Sequence, residues 1–182
     1  MPVSYHEGYD CFKKLIEMYQ PEDLLDVGMG YGNIGSMAQI IMPRLELNGI
    51  EIWLPYLSHE NSQAKRYKRI FLADIKDMIG KLWPVDIVVA WDVIEHLERE
   101  EGINVIYYLK SIAEKSLLIS LPIIDYPQGA VYGNNAEIHK TQWKVEEMEE
   151  LGAETVFKGK VIGVFEFKRS TTEREGNDHD RR

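Results

Sequence analysis

Asp26-Val27-Gly28-Met29-Gly30-Tyr31-Gly32 holds the residue types best suited to chemistry. A short apolar run, Leu24 to Val27, leads into glycines at alternate positions and then into a helix-like segment. Glycine tolerates positive φ in a tight turn and lets main chain approach a ligand that a Cβ would repel. The loop therefore reads as a cofactor cradle. Gly30-x-Gly32-x-x-Gly35 also satisfies the dinucleotide fingerprint of a first Rossmann turn, so an NAD(P)-binding domain is the alternative at this point. A second group, Asp92-Val93-Ile94-Glu95-His96-Leu97, directly follows the apolar run Asp86 to Ala90, and His139 closes the polar stretch that begins at Tyr132. Imidazole titrates near neutral pH, which makes His96, His139 and then Asp92 the candidates to take a proton from a reacting group.

These residues need a scaffold that brings them to one edge, and strands and helices alternate along the chain as in a parallel sheet covered on both faces. Helical spacing of Phe12, Leu15, Ile16 and Tyr19 predicts a helix over Cys11 to Tyr19, ended by Pro21. Strands are expected at 24–27, 45–53, 70–73, 86–90 and 116–121. Helices are expected at 34–42, 59–67, 95–113 and 145–151. Glu154 to Phe157 and Val161 to Phe167, flanking Lys158-Gly159-Lys160, read as a terminal antiparallel hairpin. Residues 122–143 form a long connection with little periodicity, of the kind that serves as a lid or binding wall. Within it Tyr132, Asn134, Asn135, Glu137, Gln142 and Trp143 are polar and aromatic enough for that role.

Ligands of an open α/β sheet sit outside the carboxyl ends of its strands, so acids at those ends converge even when distant in sequence. Asp26, Glu51 and Asp74 each fall there, with Glu51 roughly twenty residues beyond Gly30, where a carboxylate accepts from both hydroxyls of a ribose.

The full D-x-G-x-G-x-G of Asp26 to Gly32, the acids Glu51 and Asp74, and the closing hairpin together resemble the class I S-adenosylmethionine-dependent methyltransferases. That resemblance implies a three-layer α/β/α Rossmann-like fold with a mostly parallel seven-stranded sheet ending in an antiparallel hairpin. It implies S-adenosylmethionine as cofactor, with Glu51 on the ribose, Asp74 and Ile75 on the adenine edge and Ile52 on its face. Trp53 is weighed there against plain core packing. Asp26, Gly28, Gly30, Gly32, Ala90 and Asp92 would surround the methionine end. The implied reaction moves a methyl group to an oxygen, nitrogen or carbon nucleophile. A methyltransferase fold that binds without turning over is a further alternative.

Asp92 to Leu97 is similar to the D-V-x-E-H-L segment of many such enzymes, and Asp92-x-x-Glu95 also fits a helix capping box. On a helix Asp92, Glu95 and His96 would share one face. A subset of the family, including small-RNA 3′-end 2′-O-methyltransferases, holds a divalent metal with an acid-x-x-Glu-His segment and a later histidine. Here that set would be Asp92, Glu95, His96 and His139. Asp92 is one methylene shorter than the glutamate those enzymes carry, and the reading without a metal is preferred.

Composition bounds the rest. The 182 residues, 45% hydrophobic, suffice for one core, taken as residues 1–169, with an apolar-free tail over 170–182 expected to be disordered. A lone cysteine, Cys11, excludes an internal disulfide or a cysteine-rich zinc site and fits a reducing, cytoplasmic setting. The first residues lack the pattern of a signal peptide, and no run approaches the ~18 apolar residues of a membrane span. A net charge of −9 disfavours nucleic acid as partner, the basic run Lys65 to Arg69 reading as a solvated surface. A small-molecule or protein-borne acceptor is expected, and oligomeric state is not legible.

Overall fold

A computed structural model describes residues 6–169, so the expected tail over 170–182 lies outside the described residues. Seven strands form one sheet in the order β3-β2-β1-β4-β5-β7-β6. They are β1 (Asp23–Val27), β2 (Glu46–Glu51), β3 (Arg69–Leu72), β4 (Val85–Trp91), β5 (Ala113–Pro122), β6 (Glu154–Lys158) and β7 (Ile162–Lys168). The first five run parallel, and β7 enters antiparallel to both β5 and β6, as the terminal hairpin requires.

Alternation along the central strands divides the core in two. Leu24, Leu47, Ile87, Val89 and Leu118 face α1 (Tyr9–Tyr19) and α2 (Asn33–Ile41), which contribute Phe12, Ile16, Ile34 and Ala38. Leu25, Val27, Val88, Leu117 and Ile119 face the opposite side. There α4 (Arg99–Ile112) supplies Val105, Ile106 and Leu109, and α5 (Val145–Glu150) supplies Met148. Strands buried on both faces read as continuous apolar runs, which is why Val85–Trp91 contains a single charged residue, Asp86.

Two expected helices differ. The helix over 59–67 is replaced by a single turn, α3 (Leu54–Leu57), started by Pro55, and a 3-10 turn at Ala64–Arg66. Between them the Asn61 N–H donates to His59 Nδ1 at 3.2 Å and the Ala64 N–H to Ser62 Oγ at 3.2 Å, so side chains take main-chain donors that a helix would use. The helix expected from Glu95 begins instead at Arg99, and Ile94–His96 is a separate 3-10 turn. The operative capping box is Glu98 with Glu101, the Glu98 N–H donating to Glu101 Oε2 at 3.2 Å. Asp92, Glu95 and His96 are therefore not residues of one helix face.

Candidate functional site

β1 ends in a loop that only particular residues permit. Gly28 has φ 67°, and a Cβ there would lie 2.5 Å from Val93 Cγ2. Farther on, a Cβ at Gly35 would collide with the hydroxyl of Tyr67. That hydroxyl is fixed by Asp26: Tyr67 Oη donates to Asp26 Oδ2 at 2.5 Å, and the Gly35 N–H at the start of α2 donates to the same oxygen at 3.1 Å. Asp26 is 1% exposed, and burial pushes its pKa up to about 6. Its carboxylate thus anchors the glycine loop while bordering the cleft that the loop opens on.

That cleft lies across the carboxyl ends of β1, β2 and β4 and encloses about 1000 Å³ counting its open mouth. Of the residues expected at a cofactor, Asp26, Gly28, Gly30, Glu51, Ile52, Asp74, Ile75 and Asp92 all line it. Gly32 and Ala90 do not. Gly32 precedes α2 with its hydrogen facing Tyr67, and Ala90 is wholly buried between Val27 and Ile119 in the sheet. Trp53 is in neither the cleft lining nor the two core clusters; its N–H donates to Glu51 Oε1 at 2.7 Å, while the Gly30 N–H donates to Glu51 Oε2 at 2.8 Å. Both oxygens of Glu51 are thereby aimed, with lone pairs left for a ligand's hydroxyls. Burial raises the Glu51 pKa against the lowering effect of these two bonds. Asp74 Oδ1 accepts from the Lys76 N–H at 2.9 Å, capping the 3-10 turn that holds buried Ile75. Ile52 is 45% exposed, an apolar side chain held open at the rim.

Asp92 stands at the tip of β4 in the left-handed region, φ 55°, where a non-glycine residue is strained, and its Oδ1 accepts from Ser120 Oγ at 2.9 Å. His96 follows on the same wall of the cleft. His139 lines an adjoining cavity of about 460 Å³, with Glu95, Ile124, Asp125 and Tyr126. The two histidine rings nevertheless meet, with centroids 4.9 Å apart.

Main-chain bonds bring these distant segments together. The Lys140 and Thr141 N–H groups both donate to the Glu95 carbonyl, at 2.9 and 3.1 Å, and Thr141 Oγ donates to the Leu97 carbonyl at 2.8 Å. Thr141→Val, which keeps shape and removes the buried hydroxyl, is expected to lower stability by about 1 kcal/mol in denaturant titration. An unchanged midpoint would show that this bond does not hold the segment.

Among the described residues, Glu95, His96 and His139 each present a ligand atom within 4.8 Å of the others. Neither carboxylate oxygen of Glu95 has a hydrogen-bond partner in another described residue, although the side chain is buried. Burial, and then the charge of Asp92, push its pKa well up. His96 Nδ1 lies 3.3 Å from the Ile138 carbonyl and His139 Nδ1 lies 2.6 Å from the Tyr126 carbonyl. A carbonyl only accepts, so both Nδ1 atoms carry the hydrogen and both Nε2 lone pairs are left available. Burial lowers the His96 pKa to about 4 and lowers that of His139, keeping both rings neutral at pH 7. A neutral imidazole pair beside a carboxyl group can hold a divalent cation or receive a proton. Asp92 is not part of this cluster.

Tyr56, Lys76 and Lys140 also line the cleft and escape the sequence reading. Lys140 adjoins His139, and that adjacency was the available signal. Tyr56 enters only because α3 is a single turn, which no pattern foretold.

No family model and no curated protein matches the sequence. Solved structures do match. An O-methyltransferase family protein from Burkholderia thailandensis is 12% identical, with a TM-score of 0.61 over 90% of this chain, which spans 57% of that one. Magnesium protoporphyrin IX methyltransferase from Synechocystis PCC 6803, with bound S-adenosylhomocysteine, is 15% identical, with a TM-score of 0.63 over 88% of this chain and 82% of its own. The methyltransferase domain of bacterial CtHen1 is 16% identical, with a TM-score of 0.63 over 88% of this chain and 96% of its own. At such identities the likeness is one of architecture, and it agrees with the strand order and the closing hairpin. The chain has the fold of the class I S-adenosylmethionine-dependent methyltransferases.

Proposed function

We propose that the protein is an S-adenosylmethionine-dependent methyltransferase. The observation that carries this reading is the cleft itself. Glu51 is aimed from both oxygens, Asp74 and Ile75 stand at the next strand end, and the glycine loop from Asp26 to Gly30 closes the far side. When bound, the cofactor supplies a methyl group already activated on a sulfonium, so the protein's task is chiefly to orient donor and acceptor. Glu51 orients the ribose, Ile52 covers the adenine face, and the loop seats the methionine end. A small or protein-borne acceptor would approach through the cavity beside His139, where Nε2 of His139 or His96 takes the proton that the acceptor loses. The chain spans just over half of one solved relative, so the acceptor is this chain's own question.

Glu95, buried and without a hydrogen-bond partner among the described residues, favours a finer reading in which a divalent cation sits among Glu95, His96 and His139. Imidazole with carboxylate suits zinc, manganese or iron, and such an ion would acidify an acceptor hydroxyl. Carboxylate and neutral imidazole are the ligating forms, so affinity for the ion rises with pH.

Calorimetric titration with S-adenosylmethionine, S-adenosylhomocysteine and NAD, each with and without manganese, tests both statements. Micromolar binding of the two adenosyl ligands and none of NAD is the expected result. NAD binding in their place would move the protein to the nicotinamide class, which has less use for Asp74. Manganese is expected to raise the unfolding midpoint by a few degrees in the wild type and not in His139→Ala. Equal midpoints in both would leave the cluster to proton transfer alone.

A further inference from the structure

Lys140 stands where three hollows of the molecule meet. It borders the cofactor cleft, the cavity beside His139 and an outer depression that runs along Arg99 and Glu147. The other cations on these walls are committed or remote from the cavity. Lys76 Nζ bonds Glu101 at 2.9 Å and lies 3.7 Å from Asp74, while Arg99 bonds Glu147 and the Gln142 carbonyl, each at 2.7 Å. Lys144 borders the outer depression and neither of the other two. Lys140 Nζ makes no ion pair or hydrogen bond with another described residue. Its charge reaches Glu101, but that carboxylate is already taken by Lys76.

The backbone beneath this ammonium is held on both sides. The Lys140 and Thr141 N–H groups share the Glu95 carbonyl, and the His139 N–H donates to the Gln128 carbonyl at 3.1 Å. Burial then alternates along the segment. Thr141 and Trp143 are buried, whereas Lys140, Gln142 and Lys144 are exposed, so Lys140 and Gln142 stand on the same side of the chain.

The cavity beside His139 pairs that ammonium with an apolar wall. Pro122, Ile124 and Pro127 line it, together with two acids, Glu95 and Asp125. Lys140 is the one permanently cationic residue on this wall, and Gln142, which borders the same cavity, adds an amide donor. A single ammonium beside two acids is matched to one negative charge. A phosphate dianion would meet twice the repulsion and find no second cation there.

We propose that Lys140 selects acceptors that carry a carboxylate: an apolar body lies against Pro122, Ile124 and Pro127, the carboxylate pairs with Lys140 Nζ, and the nucleophile is left beside His139. The inference rests on the methyltransferase reading and deepens it by naming the acceptor class, with Lys140 as the specificity-determining residue.

Benzoate, benzamide and phenyl phosphate share one ring and differ in charge. Each is titrated by ligand-observed NMR into the wild type, into Lys140→Met, which keeps the apolar stem, and into Lys140→Arg, with and without S-adenosylhomocysteine. The wild type is expected to prefer benzoate to benzamide by about fivefold, the scale of one solvent-accessible ion pair. That preference should vanish in Lys140→Met and persist in Lys140→Arg, and phenyl phosphate should bind no tighter than benzoate. Added salt should weaken benzoate and leave benzamide unchanged, a response that packing alone does not give. No preference for benzoate in the wild type, absence of binding by both included, would overturn the inference. So would a preference that survives in Lys140→Met, or tighter binding of phenyl phosphate. Calorimetry should find S-adenosylhomocysteine affinity within about twofold of wild type in Lys140→Met, whereas a loss of about tenfold would assign the ammonium to the cofactor and overturn its role at the acceptor. Failure of the wild type to bind S-adenosylhomocysteine at all would instead remove the methyltransferase reading, whatever the benzoate titrations show.

Discussion

Glu51→Ala is expected to weaken S-adenosylmethionine binding by at least about 100-fold. Two hydrogen bonds from ribose hydroxyls to a carboxylate contribute roughly 1.5 kcal/mol or more each, and about 3 kcal/mol in sum is that factor. The loss should exceed the sum of the two bonds, because Glu51 also accepts from the N–H groups of Gly30 and Trp53. Removing it frees the rim of the glycine loop as well as the ligand. Glu51→Gln retains one acceptor oxygen and should fall between wild type and alanine. Calorimetry on variants with unchanged circular dichroism gives the answer. An alanine variant with undiminished affinity would mean that the ribose lies elsewhere in the cleft.

Asp26→Asn is expected to make the protein more stable at pH 7 by roughly 3 kcal/mol while weakening donor binding. The sign follows from burial. The folded pKa of Asp26 is raised from 3.8 to about 6, so between those values the folded state holds a proton that the unfolded state has lost. Stability therefore falls as pH rises from about 4 to about 6 and stays lowered above that window. At 1.36 kcal/mol per pH unit, the gap amounts to roughly 3 kcal/mol. An asparagine oxygen still accepts from Tyr67 and Gly35, and it carries no charge to bury. Denaturant midpoints of the two proteins should coincide near pH 4 and separate toward pH 7. A less stable asparagine variant at pH 7 would show that the two bonds to the carboxylate outweigh its desolvation.

Much of the cleft lining is legible in the sequence because it depends on local order. Glu51 and Asp74 close strands that are themselves recognisable, and the topology then carries them to one edge. Asp92 to His96 misleads for an equally local reason: an acid three residues before a glutamate satisfies a capping pattern, and the real pattern, Glu98 with Glu101, begins six residues later in the same acidic run. What no local rule supplies is pairing at a distance. Tyr67 donates to Asp26 across 41 residues and Tyr56 to Glu137 across 81, and nothing in the spacing of either tyrosine separates core from lid or interface. The expected helix over 59–67 hid the first of them inside a regular element, when its hydroxyl is what fixes the glycine loop.

The segment 123–143 joins β5 to α5 and adds no strand to the sheet. Its described links to the rest of the molecule include two main-chain bonds to Glu95, one bond to Leu97 and the grip of Tyr56. Between its packed ends, Ile123 and Trp143, a stretch attached in that way can be exchanged for another of similar length without re-registering the strands. The protein is thus partitioned for divergence. On the methyltransferase reading, one set of residues, in β1, β2 and the loops behind them, is constrained by the donor. The other is a graftable cassette, exchangeable at little cost to folding.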